Sequence, residues 1–324
     1  MINKQTGLSR QQKIGSGFGA LSTADEVLSG IDLTGRTALV TGGYSGLGLE
    51  TTRALSNAGA RVVVPARRPE TAEAALLSVP RTEVRPLDLA DLESVRAFAE
   101  DFLDSGRTLD LVINNAGIMA CPETRVGPSG WEAHFALNHL GHFALIHRLR
   151  PALAEAGARV VSVASSGHFL SDIRWDDLHF RTGYDRWLAY AQSKTANALF
   201  ARHLDLLGAD SNVRAFAVHP GSILTPLQRH IPREEWQAHG WVTDDGRPAA
   251  GFKTSQQGAA TTLWAATSPL LDEHGGAYCQ DCDIAEPATT DDMLLGGVKP
   301  WATDPASAAR LWELSSELTG LSEF

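Results

Sequence analysis

The chain has 324 residues, of which 43% are hydrophobic and 20% are charged, a composition typical of a globular protein with a large core. Its formal net charge of −10 argues against nucleic acid or an anionic membrane as the partner, so a small molecule is expected. No apolar run is long enough to cross a bilayer and the first residues have no apolar core like that of a signal peptide, so we expect no membrane partner and a cytoplasmic location.

Regular elements are predicted along almost the whole chain. Residues 1–35 are expected to form an N-terminal arm with a short helix in "STADEVLSG", capped by Ser22 or Thr23. Between residues 36 and 286, short β-branched runs alternate with amphipathic segments. The runs predicted as buried parallel strands are "TALV", "RVVVPA", "VRPLD", "LDLVINNAG", "ARVVSVAS" and "VRAFAVHPG". The predicted helices include "LETTRALSNAG", "DLESVRAFAEDFLDSG" and "HFALNHLGHFALIHRLRPALAEAG".

This alternation predicts an α/β fold, a single Rossmann-type domain with a doubly wound parallel sheet and helices on both faces, because parallel neighbours need right-handed crossovers. Residues 287–324 are expected to form a tail that packs on the domain. The tail should end in an amphipathic helix that begins near Pro305 and stops at Gly320.

A glycine-rich loop, "VTGGYSGLG", follows the first predicted strand and precedes the first predicted helix. Glycine allows the tight turn and the close approach of backbone to phosphate, and the helix N-terminus offers free N–H groups to a pyrophosphate. A plain turn is the alternative, but at this place in the alternation the loop indicates a dinucleotide site. The loop residues expected to contact the cofactor are Gly42, Tyr44, Ser45, Gly46, Leu47 and Gly48.

The end of the second predicted strand indicates which dinucleotide binds. An acidic residue there would favour NAD(H), but the position falls on Ala66 and is followed by Arg67 and Arg68. A guanidinium can grip a 2′-phosphate, so NADP(H) is predicted and NAD(H) is the alternative. A solvated pair of arginines without a ligand is the other interpretation.

Six short motifs occur in a fixed order along the chain. They are "TGGYSGLG", "NNAG", "LNHLGHF", "SVAS", "YAQSK" and "HPG" with Thr225 following. In order and approximate spacing they resemble the short-chain dehydrogenase/reductase family, over about residues 36–286. "NHLGHF", "LAYAQSKTANALF" and the late "YCQDCDIAEP" are similar to its retinol dehydrogenase-like and WW-domain oxidoreductase-like branch, which acts on lipophilic alcohols and carbonyls.

The resemblance implies four catalytic residues, Tyr190, Lys194, Ser165 and Asn138. Tyr190 and Lys194 are four residues apart, so on a helix they share one face. A tyrosine with a pKa of about 10 becomes a useful proton donor when a nearby ammonium lowers that pKa towards neutrality. By resemblance Lys194 also holds the nicotinamide ribose, Ser165 binds the carbonyl and Asn138 helps to hold a water in the proton relay.

The resemblance also implies further cofactor contacts around the same site. They are Asp88 and Leu89 on the adenine side, Asn115, Ala116 and Gly117 beside the central sheet, Pro220, Gly221 and Thr225 along the nicotinamide, and again Tyr190 and Lys194. Homodimers or homotetramers are common in the family, and the segment "NHLGHFALIHRL" could either form such an interface or pack in the core.

Other polar residues have simpler interpretations. Tyr184 has no lysine four residues later, so aromatic packing is its expected role. His139 and His142 lack a third ligand at a useful spacing and are interpreted as hydrogen-bonded core or interface residues, and no metal site is predicted. The "CQDC" motif is interpreted as packing thiols near a strand end.

The sequence therefore predicts an NADP(H)-dependent oxidoreductase that interconverts an alcohol and its ketone or aldehyde on a hydrophobic small molecule. The insert of residues 169–187, the segment "PLQRHIPREEWQAHGW" and the tail near Trp301 are expected to shape the substrate pocket. Two alternatives remain open. One is reduction of an enone-type double bond at the same site, and the other is a non-enzymatic NADP(H)-sensing scaffold.

Overall fold

A parallel β-sheet forms the centre of the structure, a computed structural model that describes residues 10–153, 157–321 and 324. The strands are β1 (Thr37–Val40), β2 (Arg61–Ala66), β3 (Thr82–Pro86), β4 (Leu111–Asn114), β5 (Arg125–Val126), β6 (Trp131–Glu132), β7 (Ala158–Val163), β8 (Val213–His219), β9 (Tyr278–Gln280) and β10 (Asp283–Ile284). Eight of them form one sheet in the order β10-β9-β8-β7-β4-β1-β2-β3. Only β10 runs antiparallel to its neighbour, while β5 and β6 form a separate hairpin.

Helices cover both faces of the sheet. They are α1 (Ala24–Val27), α2 (Gly46–Asn57), α3 (Pro69–Leu76), α4 (Leu92–Asp104), α5 (Gly141–Leu149), α6 (Arg186–Gly208), α7 (Arg233–Ala238), α8 (Ser255–Thr267) and α9 (Pro305–Thr319). One hydrophobic cluster joins the sheet to α4, α5, α6 and α9, and a second joins it to α1, α2, α3 and α8. None of the helices among the described residues is both long enough and apolar enough to span a bilayer.

The alternation of side chains along the strands divides the core into these two clusters. In β1, Leu39 packs into the first cluster while its neighbours Ala38 and Val40 pack into the second. In β7, Val160 packs into the first cluster and Val161 packs into the second. Burial on both faces explains why the strands read as continuous apolar runs in the sequence. The predicted doubly wound parallel sheet is thus confirmed.

The six strands predicted from the sequence are all present, with ends that differ by at most a few residues. The prediction missed β9, β10 and the β5–β6 hairpin, which are only two or three residues long. It also treated residues 134–157 as one helix. The structure instead has a π-helix at Phe135–Leu140 that leads into α5, and residues 154–156 lie outside the described part of the chain.

The arm and the tail both pack on the sheet and its helices. Thr23 caps α1 as predicted, and the N–H groups of Ile14 and Gly15 donate to Asp283 in β10 at 2.9 and 3.1 Å. Residues 1–9 of the predicted arm lie outside the described residues. Helix α9 begins at Pro305 and ends at Gly320, as predicted.

Helix α9 lies against α5 and α6 and buries their outer side. The Trp312 ring packs against Phe143 of α5 and Phe200 of α6, with ring centroids 4.8 and 5.8 Å apart. His139 Nε2 and Ser315 Oγ hydrogen-bond at 2.7 Å between the π-helix and α9. Of the two interpretations of "NHLGHFALIHRL", the structure of this chain supports packing in the core.

Replacing Trp312 with alanine should lower the free energy of unfolding by about 3 to 5 kcal/mol, because a large aromatic side chain is removed from a packed site. Glu317→Ala on the exposed side of the same helix is the matched control and should change it by less than about 0.5 kcal/mol. Urea denaturation of both variants measures the difference. Equal losses in the two variants would contradict the role given to Trp312.

Candidate active site

A cavity of about 1000 Å³ opens at the carboxyl ends of the central strands. Its position is the one expected of a ligand site in an open parallel sheet, where the strand order reverses between β1 and β4. Nearly all of the predicted site residues line this cavity. Those that do are Gly42, Tyr44, Ser45, Gly46, Leu47, Gly48, Arg67, Arg68, Leu89, Asn115, Ala116, Gly117, Ser165, Tyr190, Lys194, Pro220, Gly221 and Thr225.

The glycine-rich loop favours glycine at two positions, at one because of space and at the other because of backbone conformation. A Cβ on Gly48 would lie 2.2 Å from the carbonyl oxygen of Gly42, and Gly42 itself has a φ of +64°. Ser45, the N-cap of α2, makes no side-chain hydrogen bond to the helix, so its hydroxyl does not occupy the first N–H groups. The loop therefore fits a cradle in which backbone N–H groups face a phosphate.

The segment after β4 is tied to this loop by a buried threonine. Thr41 Oγ1 accepts hydrogen bonds from the N–H groups of Asn115 and Ala116 at 2.9 and 3.0 Å. It also contacts His142 Nε2 at 2.8 Å, and His142 Nδ1 donates to the Asn138 carbonyl oxygen at 3.0 Å. His142 is thus a hydrogen-bonded core residue, as interpreted, and burial lowers its pKa to about 4.

Arg67 and Arg68 line the cavity just beyond the end of β2, and both are exposed. Asp88 differs from the prediction because it is not among the residues that line the cavity. Its carboxylate accepts a hydrogen bond from the N–H of Ala90 at 3.0 Å within its own turn. Its neighbours Leu87 and Leu89 line the cavity instead.

Tyr190 and Ser165 meet at the inner end of the cavity. Ser165 follows β7 and its Oγ accepts a hydrogen bond from Gly167 N at 3.0 Å. Tyr190 is 5% exposed, and burial raises its pKa to about 12, although a side-chain hydrogen bond to Ser165 acts in the opposite direction. The expected lowering of the Tyr190 pKa towards neutrality is therefore wrong for the protein alone, since burial outweighs the effects of nearby groups.

Lys194 lies one helical turn after Tyr190 and is almost completely buried. Its Nζ donates to the carbonyl oxygen of Val163 at 2.8 Å and lies 5.6 Å from the centre of the Tyr190 ring. Burial lowers its pKa to about 8, because removing the ammonium from water disfavours the charged form. The amine therefore titrates close to physiological pH.

Asn138 does not line the cavity but braces the segment that does. From the π-helix, its Oδ1 accepts from Ile118 N at 2.9 Å and its Nδ2 donates to Ser193 Oγ at 2.9 Å. A Cβ added to Gly117 would lie 3.3 Å from Asn138 Oδ1 and 3.8 Å from Lys194 Nζ. Asn138, Gly117 and Lys194 are thus close neighbours, and π-helical turns often occur at such sites.

The sequence predicts that residues 169–187 shape the pocket, and for residues 171–184 this is wrong. Only Leu170, Asp185 and Trp187 of this segment line the cavity. Ile173 and Phe180 of the middle part are 4% and 0% exposed and pack in the core. The segment is mainly a cover for the π-helix and the β5–β6 hairpin.

The middle of the insert is held by backbone hydrogen bonds. Arg125 Nη2 donates to the Phe180 carbonyl oxygen at 2.9 Å, and Gln192 Nε2 donates to that of Leu178 at 2.8 Å. Tyr184 has the packing role interpreted from the sequence: its hydroxyl donates to the Cys121 carbonyl oxygen at 3.0 Å, and burial raises its pKa.

The other sequence interpretations concern cysteines and the C-terminal tail. Cys279 and Cys282 are free, buried thiols, as interpreted for packing thiols; Cys279 lies within β9 and Cys282 directly precedes β10. Within the described ranges, no group of three or more histidine, cysteine or acidic residues is placed to hold a metal ion. The tail near Trp301 reaches the cavity through Met293 and Leu294, whereas Trp301 itself does not line it and its Nε1 donates to the His168 carbonyl oxygen at 3.1 Å.

Comparison with known proteins agrees with this geometry. The sequence model of the family described as short chain dehydrogenase matches residues 36–236. The chain belongs to the short-chain dehydrogenase family. It is therefore an oxidoreductase, and its retinol dehydrogenase-like branch is supported by the relatives described next.

Two curated relatives and one solved structure illustrate the likeness. A probable oxidoreductase of Streptomyces lividans is 45% identical over 296 residues, which is 89% of this chain and 98% of the relative. Retinol dehydrogenase 11 of Mus musculus is 37% identical over 302 residues, 90% of this chain and 89% of the relative. The Pseudomonas aeruginosa RhlG/NADP active-site complex is 28% identical with a TM-score of 0.60, covering 77% of this chain and 95% of that chain.

Sequence reasoning missed several residues of this dehydrogenase's cavity. The segment after Thr225 reaches the cavity as predicted, through Pro226, Leu227, Gln228, Arg229, His239 and Trp241. The apolar residues that were missed include Met119, Leu188 and Phe252. Met119 and Phe252 lie in loops and Leu188 lies in the first turn of α6, so no single local pattern signals them. Arg229 could have been noticed as a cation shortly after the "HPG" motif.

Replacing Lys194 with methionine should raise the free energy of unfolding at pH 7 by about 1 to 3 kcal/mol, because the variant no longer buries a charge. The Lys194 pKa is lowered to about 8 on folding, whereas a lysine in the unfolded chain has a pKa of about 10.4. The buried ammonium therefore lowers the stability of the wild type fully below pH 8, and this loss of stability decreases as the pH rises from about 8 towards about 10.4. Denaturation of both proteins across that pH range should show that the difference between their free energies of unfolding decreases. A difference that does not change with pH would contradict the lowered pKa of Lys194.

Proposed function

We propose that the protein is an NADP(H)-dependent oxidoreductase that interconverts an alcohol and its ketone or aldehyde on a hydrophobic small molecule. The observation that carries this proposal is the meeting of two sets of residues in one cavity. The glycine-rich loop and its arginines lie at one end, and Tyr190, Ser165 and Lys194 lie at the other. A dinucleotide spanning both would bring its nicotinamide beside the tyrosine.

The residues present fit this cofactor. Gly42, Gly46 and Gly48 allow the close backbone packing of the turn before α2, and the Ser45 side chain makes no hydrogen bond to the helix N-terminus, where a pyrophosphate would bind. Arg67 and Arg68 suit the 2′-phosphate of NADP(H), because a guanidinium makes paired, charge-assisted hydrogen bonds to phosphate. The NADP complex of the Pseudomonas aeruginosa relative adds support for a cofactor of this class.

The chemistry divides between the bound group and the protein. When bound, the nicotinamide supplies or accepts the hydride at the substrate carbon. In the reducing direction Tyr190, protonated because its pKa is about 12, gives its hydroxyl proton to the substrate oxygen. Ser165 hydrogen-bonds the same oxygen, and the Lys194 ammonium stabilises the phenolate that is left.

Asn138 has a positioning role in this proposal. Its side chain fixes the backbone of Ile118, which lines the cavity beside Gly117. Its carbonyl oxygen accepts from His142 at 3.0 Å, so the Asn138 backbone is itself held in place. The pair formed by Tyr190 and Lys194 is thereby kept against a rigid wall.

A hydrophobic substrate is supported by the walls of the cavity near Tyr190. Met119, Trp187, Leu188, Phe252 and Leu294 all line it. Such a wall favours an apolar molecule with one polar group, which Ser165 and Tyr190 would hold. The cytoplasmic location and the oligomeric state expected from the sequence stay predictions.

Replacing Tyr190 with phenylalanine should lower kcat by about 10²- to 10⁴-fold, because the proton donor is lost. Cofactor affinity should stay nearly unchanged, since the ring and Lys194 remain. Tyr184→Phe is the matched control and should retain activity, because the Tyr184 hydroxyl bonds only the Cys121 backbone. NADPH oxidation against a panel of apolar ketones and aldehydes measures both variants, and full activity of Tyr190→Phe would end the proposal.

The cofactor assignment is tested separately. The wild-type protein should have a KM for NADPH that is about 10- to 100-fold lower than its KM for NADH, which corresponds to one charge-assisted contact with the 2′-phosphate. Initial rates with a fixed carbonyl substrate measure both constants. An equal or lower KM for NADH would refute the choice of NADP(H).

Product analysis with a paired ketone and enone would distinguish carbonyl reduction from the double-bond alternative.

A further inference from the structure

A third arginine lines the cavity from a part of the chain that no cofactor motif covers. Arg229 lies on the 3₁₀-helix Pro226–His230, which begins directly after Thr225. Arg67 and Arg68 follow β2 and line the same cavity. The three guanidiniums therefore approach one space from two distant segments.

Among the described residues that line the cavity, none pairs with this cluster of positive charge. Among the described residues, Asp185 is the only acidic residue that lines the cavity, and its carboxylate accepts from the N–H groups of Trp187 and Leu188 at the start of α6. In the described part of the chain none of the three arginines forms an ion pair.

Arg229 and Arg67 line the same cavity. Burial and the neighbouring charge of Arg67 both lower the pKa of Arg229. The two cations thus share one cavity in a chain with a net charge of −10. A phosphate monoester, which carries about −1.5 to −2 charges at pH 7, would remove the repulsion and satisfy both guanidiniums.

The turn that carries Arg229 is braced and touches the nucleotide loop. Gln228 Oε1 accepts from Thr225 N at 2.9 Å and Gln228 Nε2 donates to the Ile223 carbonyl oxygen at 2.8 Å. Arg229 Nη1 donates to the Pro226 carbonyl oxygen at 3.1 Å. A Cβ added to Gly46 would lie 3.3 Å from Thr225 Cβ.

We infer that Arg229 and Arg67 hold the 2′-phosphate of NADP(H) from opposite sides, so that the turn after Thr225 closes over the bound cofactor. This inference rests on the proposed function and extends it. The preference for NADPH over NADH would then depend on Arg229, in the turn after Thr225, as well as on the arginines that follow β2. Discrimination against NADH then has two sources that act together, because both arginines bind one group.

Arg229→Gln tests this assignment because it removes the charge from an exposed position. Binding of NADPH and of 2′,5′-ADP should weaken by about 10- to 100-fold, the loss of one charge-assisted contact, while binding of NADH and 5′-ADP should be unchanged. Arg229→Lys, which keeps the charge, should recover part of the loss. Isothermal titration calorimetry with the full chain measures all four ligands.

Arg247→Gln is the matched control, since Arg247 pairs with Asp245 at the surface and does not line the cavity. Thermal unfolding should be the same for both glutamine variants and the wild type. In the double variant with Arg67→Gln, the loss for NADPH should differ from the sum of the single losses, because both residues share one phosphate.

The possible outcomes distinguish a failure of the Arg229 inference from a failure of the NADP(H) assignment. Equal weakening of NADPH and NADH would overturn the inference and assign Arg229 to the pyrophosphate. Unchanged NADPH binding in Arg229→Gln, with a wild type that prefers NADPH, would overturn the inference alone. A wild type that prefers NADH would overturn both the cofactor assignment and this inference.

Discussion

The burial of one lysine ammonium at the end of β7 is the constraint on which the site depends. Lys194 lies on α6, which packs on β7 and β8, and its Nζ donates to the Val163 carbonyl oxygen at the end of β7. Burying the charge is costly, and the cost is offset by rigid packing elsewhere, including α9 against α5 and α6. The same helix that carries the lysine presents Tyr190 to the cavity, so one element aligns both groups.

Electrostatics divide the cavity into two ends. Near the nucleotide loop, Arg67, Arg68 and Arg229 create a local positive field in an acidic protein. Near Tyr190 the walls are apolar, so the proposed charged cofactor and uncharged substrate would each match their own end of the cavity. In the proposed reaction, substrate choice would then depend on the loops that line the apolar end.

The sequence predicted the fold and most of the residues that line the candidate site because their signals are local. Strand runs, the glycine loop and the spacing of Tyr190 and Lys194 each depend on a few neighbouring residues. The substrate walls depend instead on tertiary contacts. Met293 of the tail lines the cavity while Trp301 does not, and Phe180 packs in the core although its segment lies between Ser165 and Tyr190. Nor could spacing reveal that burial raises the Tyr190 pKa or that Asp88 accepts a hydrogen bond from Ala90 N in its own turn.

The central claim is that hydride passes to a carbonyl carbon while Tyr190 supplies the proton. The most direct test is to supply NADPH deuterated at the transferable C4 position together with an α,β-unsaturated ketone, and to locate the label in the product by mass spectrometry and NMR. The account predicts one deuterium on the carbinol carbon of an allylic alcohol. Deuterium at the β-carbon of a saturated ketone, or recovery of unlabelled product, would contradict it.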